Sequence, residues 1–268
     1  MKVAALQMTS GPDVGTNLAE AGALLEEAVS LGARVAALPE NFAFMGIEDA
    51  DKRAVAEDDD AGPIQDFLAT SARRLGLWIV GGTVPVRGAA DGRVSAASPV
   101  YDADGRRVAR YDKIHLFDVD LPGRVEKYRE SAHVAPGGQP MVVDTPAGRL
   151  GLAVCYDVRF PELFRQLAAR GARWFTLPSA FTGPTGRAHW ETLVRARAIE
   201  NLSYVVAPAQ SGIHPNGRET YGDSLIVDFW GRVLARLPRG RGCVVAELDL
   251  ERQDQARQSF PALAHRVL

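Results

Sequence analysis

Short, almost wholly apolar runs alternate along this chain with longer segments whose apolar residues recur every three or four positions, which predicts buried strands between amphipathic helices. Residues 2–8 (KVAALQM), 34–39 (RVAALP) and 77–84 (LWIVGGTV) read as strands. Between the first two, Leu18, Ala21, Leu25, Ala28 and Val29 share one face of a helix that starts at Asn17, with Glu20 three residues on as its capping partner, and stops at Gly32. A second helix begins at Pro63, whose fixed φ suits a first turn, and carries Ile64, Phe67, Leu68, Ala72 and Leu75 as far as Gly76. The pattern then changes. Residues 94–102 and 106–112 read as two strands around Asp104-Gly105, a pair that supplies the positive φ of a tight hairpin. A second strand pair turns at Pro146-Ala147-Gly148, and its outgoing arm ends in the apolar run Leu150 to Val154, immediately before Cys155. Beyond it come helix 161–170, strand 173–178, helix 188–200, strand 203–208, a hairpin turning near Trp230-Gly231, and strand 243–249. A mixture of βα units and hairpins predicts an α/β protein with mixed sheets.

Residues 115–138 have no clear period and are too long for a simple connection, so they are expected to form a functional loop over a site. No linker, charge block or composition shift divides the chain, and one domain over 1–268 is expected, with a core of about 1–250 and a helix and tail over 251–268.

Composition changes this picture little. With 46% hydrophobic and 24% charged residues the chain can bury an ordinary core. A formal net charge of −2 with both signs interspersed disfavours nucleic acid and a charged membrane surface as partners. The apolar run at Val3 to Leu6 is too short for a signal peptide, and a cytoplasmic protein is expected. Two cysteines, Cys155 and Cys243, allow at most one bridge and belong to no Cys-x-x-Cys pair, so Cys155 is expected to be a free thiol. Only four of the 31 basic residues are lysines, which draws attention to Lys113 at the end of the first hairpin.

Three reactive groups thus stand at the carboxyl ends of expected strands: Glu40, Lys113 and Cys155. That edge is where α/β sheets hold their ligands. A thiol with an ordinary pKa of about 8.5 needs a base or a neighbouring cation to become a nucleophile. Glu40 can be that base if burial raises its pKa, and Lys113 can hold an oxyanion. Each residue also has a plain structural reading. Cys155 serves equally as a small buried hydrophobe, Glu40 as a loop carboxylate or helix cap, and Lys113 as a surface partner of Asp112 or Asp118. His115 and His189 keep a thiol-protease scheme open. No His-x-His or His-Glu-x-x-His motif supports a metal.

The segments LPENF, RYDKIHLFDVDLPG, GLAVCYDVRFPEL, PSAF with AHWETLVRARAIEN, and YGDSLIVDFWG, in that order over nearly the whole chain, resemble the nitrilase superfamily of carbon–nitrogen hydrolases, most closely its amidase branch. The resemblance implies a four-layer α-β-β-α sandwich, dimerised by helix packing, with a Glu-Lys-Cys triad at Glu40, Lys113 and Cys155. It implies a supporting glutamate at Glu130 that orients Lys113, and no metal or organic cofactor. It further implies hydrolysis of a small carboxylate-bearing amide to acid and ammonia through a thioester. HLFDVDLPG, PSAF and residues 209–214 resemble deaminated glutathione amidases more closely than ω-amidases, and hydrolysis of 2-oxo acid ω-amides or of N-carbamoyl groups is the alternative the resemblance leaves. For substrate binding the candidates are the Tyr156 backbone N–H and Arg159, the latter reading equally as an ion pair with Glu162. A binding module with an idle site and a thiol redox protein using Cys243 are the alternatives outside hydrolysis.

Overall fold

Strand Lys2–Met8 sets the architecture, because both of its faces are apolar and each must be covered. Val3 and Ala5 point to one side, with Val35, Ala37 and Val80 of the neighbouring strands. Ala4, Leu6 and Met8 point to the other, against helices α1 (Val14–Ser30) and α2 (Pro63–Leu75) through Leu24, Leu25, Ile64 and Leu68. The computed structural model, which describes residues 1–88, 91–121 and 127–267, resolves this into two mixed sheets packed face to face. In the ten-stranded sheet, Lys2–Met8 pairs in parallel with Val35–Ala37 and antiparallel with Gly242–Glu247, and Val35–Ala37 continues in parallel to Trp78–Val80. The six-stranded sheet runs Val142–Thr145, Gly148–Leu152, Trp174–Thr176, Tyr204–Ala207, Ser224–Val227 and Val233–Leu237. Helices α3 (Pro161–Ala169) and α4 (Gly183–Asn201) cover its outer face through Leu163, Phe164, Leu167, Trp190 and Val194. The result is the expected α-β-β-α sandwich; a fifth helix, α5 (Leu250–Ser259), docks at one end by Gln253, whose Nε2 donates to the carbonyls of Arg173 and Leu202.

Several boundaries depart from the sequence reading. The first helix begins at Val14, because Asp13 accepts from the Thr16 N–H as its cap; Asn17 lies inside it, buried, and donates to the Gly11 and Ala43 carbonyls. The run 77–84 is two strands, Trp78–Val80 and Val84–Val86, broken at Gly82. Gly82 has φ +52°, and a Cβ there would sit 2.1 Å from the Pro39 carbonyl oxygen, so the backbone passes against the segment that carries Glu40. Helix α4 starts at Gly183 with Pro184 in its first turn, five residues before the expected 188. The expected loop holds a short hairpin, Asp118–Asp120 with Lys127–Arg129, a turn at Glu130–Ala132 and a strand at Val134–Ala135; its residues 122–126, like Leu268 of the expected tail, lie outside the described residues. Strand Ala209–Ile213, unexpected from sequence, pairs in parallel with the end of Lys2–Met8. Among the described residues no helix is long and apolar enough to cross a membrane, and no cluster of three or more His, Cys, Asp or Glu could hold a metal ion.

Candidate active site

The sheets put Glu40, Lys113 and Cys155 into one pocket at their carboxyl edge, although the three are far apart in sequence. Glu40 follows Val35–Ala37 and is 5% exposed; Lys113 follows Arg107–Asp112 and is 2% exposed. Cys155 follows Gly148–Leu152 and opens a 3₁₀ turn, Cys155–Arg159. Its φ of +47° is a left-handed conformation that non-glycine residues rarely adopt, of the kind that accumulates at functional turns. The turn is held by the Cys155 N–H donating to the Pro178 carbonyl at 2.9 Å. Buried Asp157 accepts from the Val154 N–H at 2.8 Å, the Tyr111 hydroxyl at 2.7 Å and the His115 N–H at 3.1 Å, and so ties the cysteine turn to both sides of Lys113.

Lys113 Nζ donates to Glu40 Oε1 at 2.8 Å and to Glu130 Oε1 and Oε2 at 2.9 and 2.8 Å. Glu130 Oε2 also accepts from the Phe117 N–H at 2.7 Å, which fixes the carboxylate. Burial works against the lysine charge, but the two carboxylates outweigh it and hold its pKa well above the ordinary value. Burial alone would push Glu40 up; the charge and hydrogen bond of Lys113, assisted by the Cys155 thiol and by Arg218, reverse this, and the net shift is downward. The sequence reading had expected Glu40 to be raised. Cys155 is pushed well up, by burial first and then by the Glu40 charge, with Lys113 and the Ala180 N–H pulling the other way. Both shifts favour a neutral thiol beside an ionised Glu40 at rest.

Tyr156 N–H, within the cysteine turn, makes no hydrogen bond to a described residue. Arg159 also lines the pocket, its guanidinium 5.4 Å from the Phe181 ring and 5.8 Å from that of Tyr156, and it makes no ion pair with Glu162 or any other described residue. The histidines stand apart from the pocket lining. His115 bonds Asp157 at 2.7 Å and stacks on Phe160 at 3.7 Å, while His189 faces Arg159 at 3.4 Å. Asp112 and Asp118, the surface partners considered for Lys113, bond Arg110 and Ser131 instead.

Matching of the sequence to known families places the carbon–nitrogen hydrolase family over residues 2–258. The chain belongs to that family. This hydrolase is 45% identical to the deaminated glutathione amidase of Synechocystis sp. over 98% of its own length and 97% of that protein's. Its structure matches the crystal structure of the Caenorhabditis elegans NitFhit protein with a TM-score of 0.92 and 40% identity, covering 99% of this chain and 65% of that longer one. It matches Saccharomyces cerevisiae Nit3, described as a member of branch 10 of the nitrilase superfamily, with a TM-score of 0.90 and 31% identity, over 100% and 97% of the two chains. The hydrolase is thus an amidase of the nitrilase superfamily.

Sequence reasoning had passed over Arg218, Asn41, Lys52 and the Thr182–Thr185 pair, all of which line the pocket. The motif 209–214 ends four residues before Arg218; PNGR, which follows it, reads as a turn, and only the pairing of Ala209–Ile213 with Glu219–Tyr221 brings that turn over the site.

Proposed function

We propose that the hydrolase cleaves a carboxylate-bearing amide of the deaminated glutathione class, with Cys155 as nucleophile, Glu40 as general base and acid, and Lys113 as oxyanion donor. The observation that carries this reading is the direct bond from Lys113 to Glu40 in the pocket that also contains the Cys155 thiol. As Sγ attacks the amide carbon, its proton passes to Glu40 and the carbonyl electron pair moves to oxygen, which Lys113 Nζ and the Tyr156 N–H receive. A depressed Glu40 suits this sequence. The carboxylate is ionised at rest, and bond formation by sulfur, not a standing thiolate, drives the transfer.

Collapse of the oxyanion breaks the C–N bond, and Glu40 returns the proton to the departing nitrogen. A thioester remains on Cys155. Water then attacks it, giving a proton to Glu40; the C–S bond breaks and the proton returns to sulfur. Glu130 acts through Lys113, holding the ammonium by both carboxylate oxygens. For deaminated glutathione the acid released is a 2-oxo dicarboxylate and the leaving nitrogen belongs to a dipeptide, whereas for an ω-amide of a 2-oxo acid it is ammonia. Arg159, held between two rings without an acidic partner, is suited to the carboxylate of the acyl half. The proposed assembly is a cytoplasmic homodimer or higher homo-oligomer, in keeping with exposed Ile199, Trp230 and Phe260 on the outer surface.

A substrate panel tests the reading: deaminated glutathione, α-ketoglutaramate, N-carbamoyl amino acids and simple nitriles, each by kcat/KM, with intact-mass detection of the acyl enzyme. Deaminated glutathione should rank first and leave a thioester on Cys155. Cys155→Ala should keep the fold, form no adduct and lose about 10⁴-fold or more of kcat. An unchanged turnover in that variant would end the scheme.

A further inference from the structure

The pocket does not end at its mouth. Asp49, Tyr128 and Arg218, which line it, also line a groove outside it that continues along Lys127, Asn216 and Glu219. The outer wall is braced from behind: buried His214, between lining residues Ile213 and Asn216 in the chain, bonds the Ser10 carbonyl at 2.8 Å and Thr220 Oγ1 at 2.7 Å, and Asn216 Nδ2 donates to the Gly46 carbonyl at 2.9 Å. Two of its three acidic groups are engaged within the protein, Asp49 with Lys52 at 3.7 Å and Glu219 with Arg187 at 3.8 Å, and the third, Glu48, caps the turn Asp49–Arg53. Its cations are not engaged in this way. Lys127 and Arg218 make no ion pair with a described residue. The Arg218 side chain donates to the Ala180 carbonyl at 2.7 Å and lies 5.1 Å over the Tyr128 ring, while its buried Nε has no hydrogen-bond partner among the described residues. An arginine fixed on an aromatic face at the neck of a groove, which feels the charge of Glu40 but is in contact with no carboxylate of a described residue, is arranged to receive one.

We propose that this groove is the subsite for the amine half of the substrate, and that Arg218 at its neck reads a carboxylate on that half. The inference rests on the amidase reading above and deepens it. Arg159 lines only the inner pocket, four residues from the nucleophile, and so addresses the acyl half; Arg218 lines both spaces and addresses what leaves. The hydrolase then selects amides whose departing amine is itself an amino acid or short peptide, and discriminates against those that release ammonia. A charge-assisted hydrogen bond at a partly exposed neck corresponds to a preference of roughly 10- to 100-fold.

The test changes the substrate before the protein. Wild-type enzyme is assayed on deaminated glutathione and on the same compound with its glycine carboxylate capped as the carboxamide. The free acid should be preferred about 30-fold in kcat/KM. In Arg218→Gln the ratio of the two should fall to about one, and in Arg218→Lys it should be intermediate, because the charge remains while the fork is lost. Equal rates on both compounds in the wild type would overturn the proposal while leaving the amidase reading intact. Turnover of neither compound would remove the amidase reading and this inference together, and a preference that survives in Arg218→Gln would move the recognition to another residue. The wild-type arm stands even if the variants fold poorly.

Discussion

At the floor of the pocket the Lys113 ammonium is bonded to Glu40 and Glu130 at 2.8–2.9 Å, whereas on its walls Arg159 and Arg218 make no ion pair with a described residue, Arg218 reaching Glu40 only through the longer-range effect of its charge. Floor and wall treat charge in opposite ways because they have different tasks. The floor is buried, and a charge there must be matched within the protein before any substrate arrives. The walls are partly exposed, so a guanidinium can wait in water for a partner brought from outside. On the proposed function the same comparison separates two stages: the floor would supply chemistry to any amide carbon that reaches it, and the walls would decide which amides do.

Removing the central cation should break the floor most severely. Lys113→Met leaves buried Glu40 and half-buried Glu130 side by side without their counter-charge, and loss of one partner of a buried ion cluster costs about 3–5 kcal/mol. Turnover should fall at least about 10³-fold, since the oxyanion donor is lost as well. The pH dependence fixes the cause. Without Lys113 the burial of Glu40 is no longer opposed by its main counter-charge and raises its carboxyl, and a folded-state pKa above the unfolded value favours folding at low pH. The stability deficit, measured by urea unfolding, should therefore shrink as pH falls from 7 towards 5, and a deficit independent of pH would assign the loss to packing.

Glu40→Gln sets activity and thiol reactivity in opposition. The Glu40 charge helps to hold the Cys155 thiol protonated, so its removal should increase the thiolate fraction and speed alkylation by iodoacetamide at pH 8. Catalysis should fall about 10²- to 10³-fold because no base remains to accept and return the proton. In the wild type, Glu40 lies below its ordinary 4.5, so the stability it contributes is present above that value and lost as pH falls through the depressed pKa; the acid limb of kcat/KM should follow the same group. Parallel losses of alkylation and turnover in the variant would show that Glu40 acts by organising the turn.

The floor was legible in the sequence and the walls largely were not, and the reason is geometric. Glu40 and Cys155 each follow an apolar run that a buried strand alone explains, and Lys113 ends a hairpin announced by Asp104-Gly105, so all three could be placed at strand ends by local pattern. Their meeting rested on resemblance until the sheets were seen. Two stacked sheets could not be read from periodicity, because Lys2–Met8 is apolar on both faces and its alternation carries no signal. Asn17 looked like a cap because capping residues also serve as buried bridges, and Asp13 held the real position. Helix α4 hid its first turn in GPTGR, which lacks apolar spacing. Arg218 depends on Ala209 pairing with Gln7, a contact spanning most of the chain, and no local pattern reports such a contact.

The smallest expected effect tests the wall nearest the chemistry. Arg159→Lys keeps a positive charge in place but replaces a planar fork, held 5.4 Å over Phe181, by a flexible point charge. If the guanidinium grips the acyl carboxylate by two bonds, KM for deaminated glutathione should rise about tenfold, the loss falling mainly on KM because the contact is made equally in the ground and transition states. An amide without that carboxylate provides the reference, since binding it never used the fork, and the ratio of the two substrates should fall by the same tenfold factor. A drop in kcat on both substrates would instead tie Arg159 to the geometry of the cysteine turn, whose last residue it is, and would move the acyl carboxylate to another cation of the pocket.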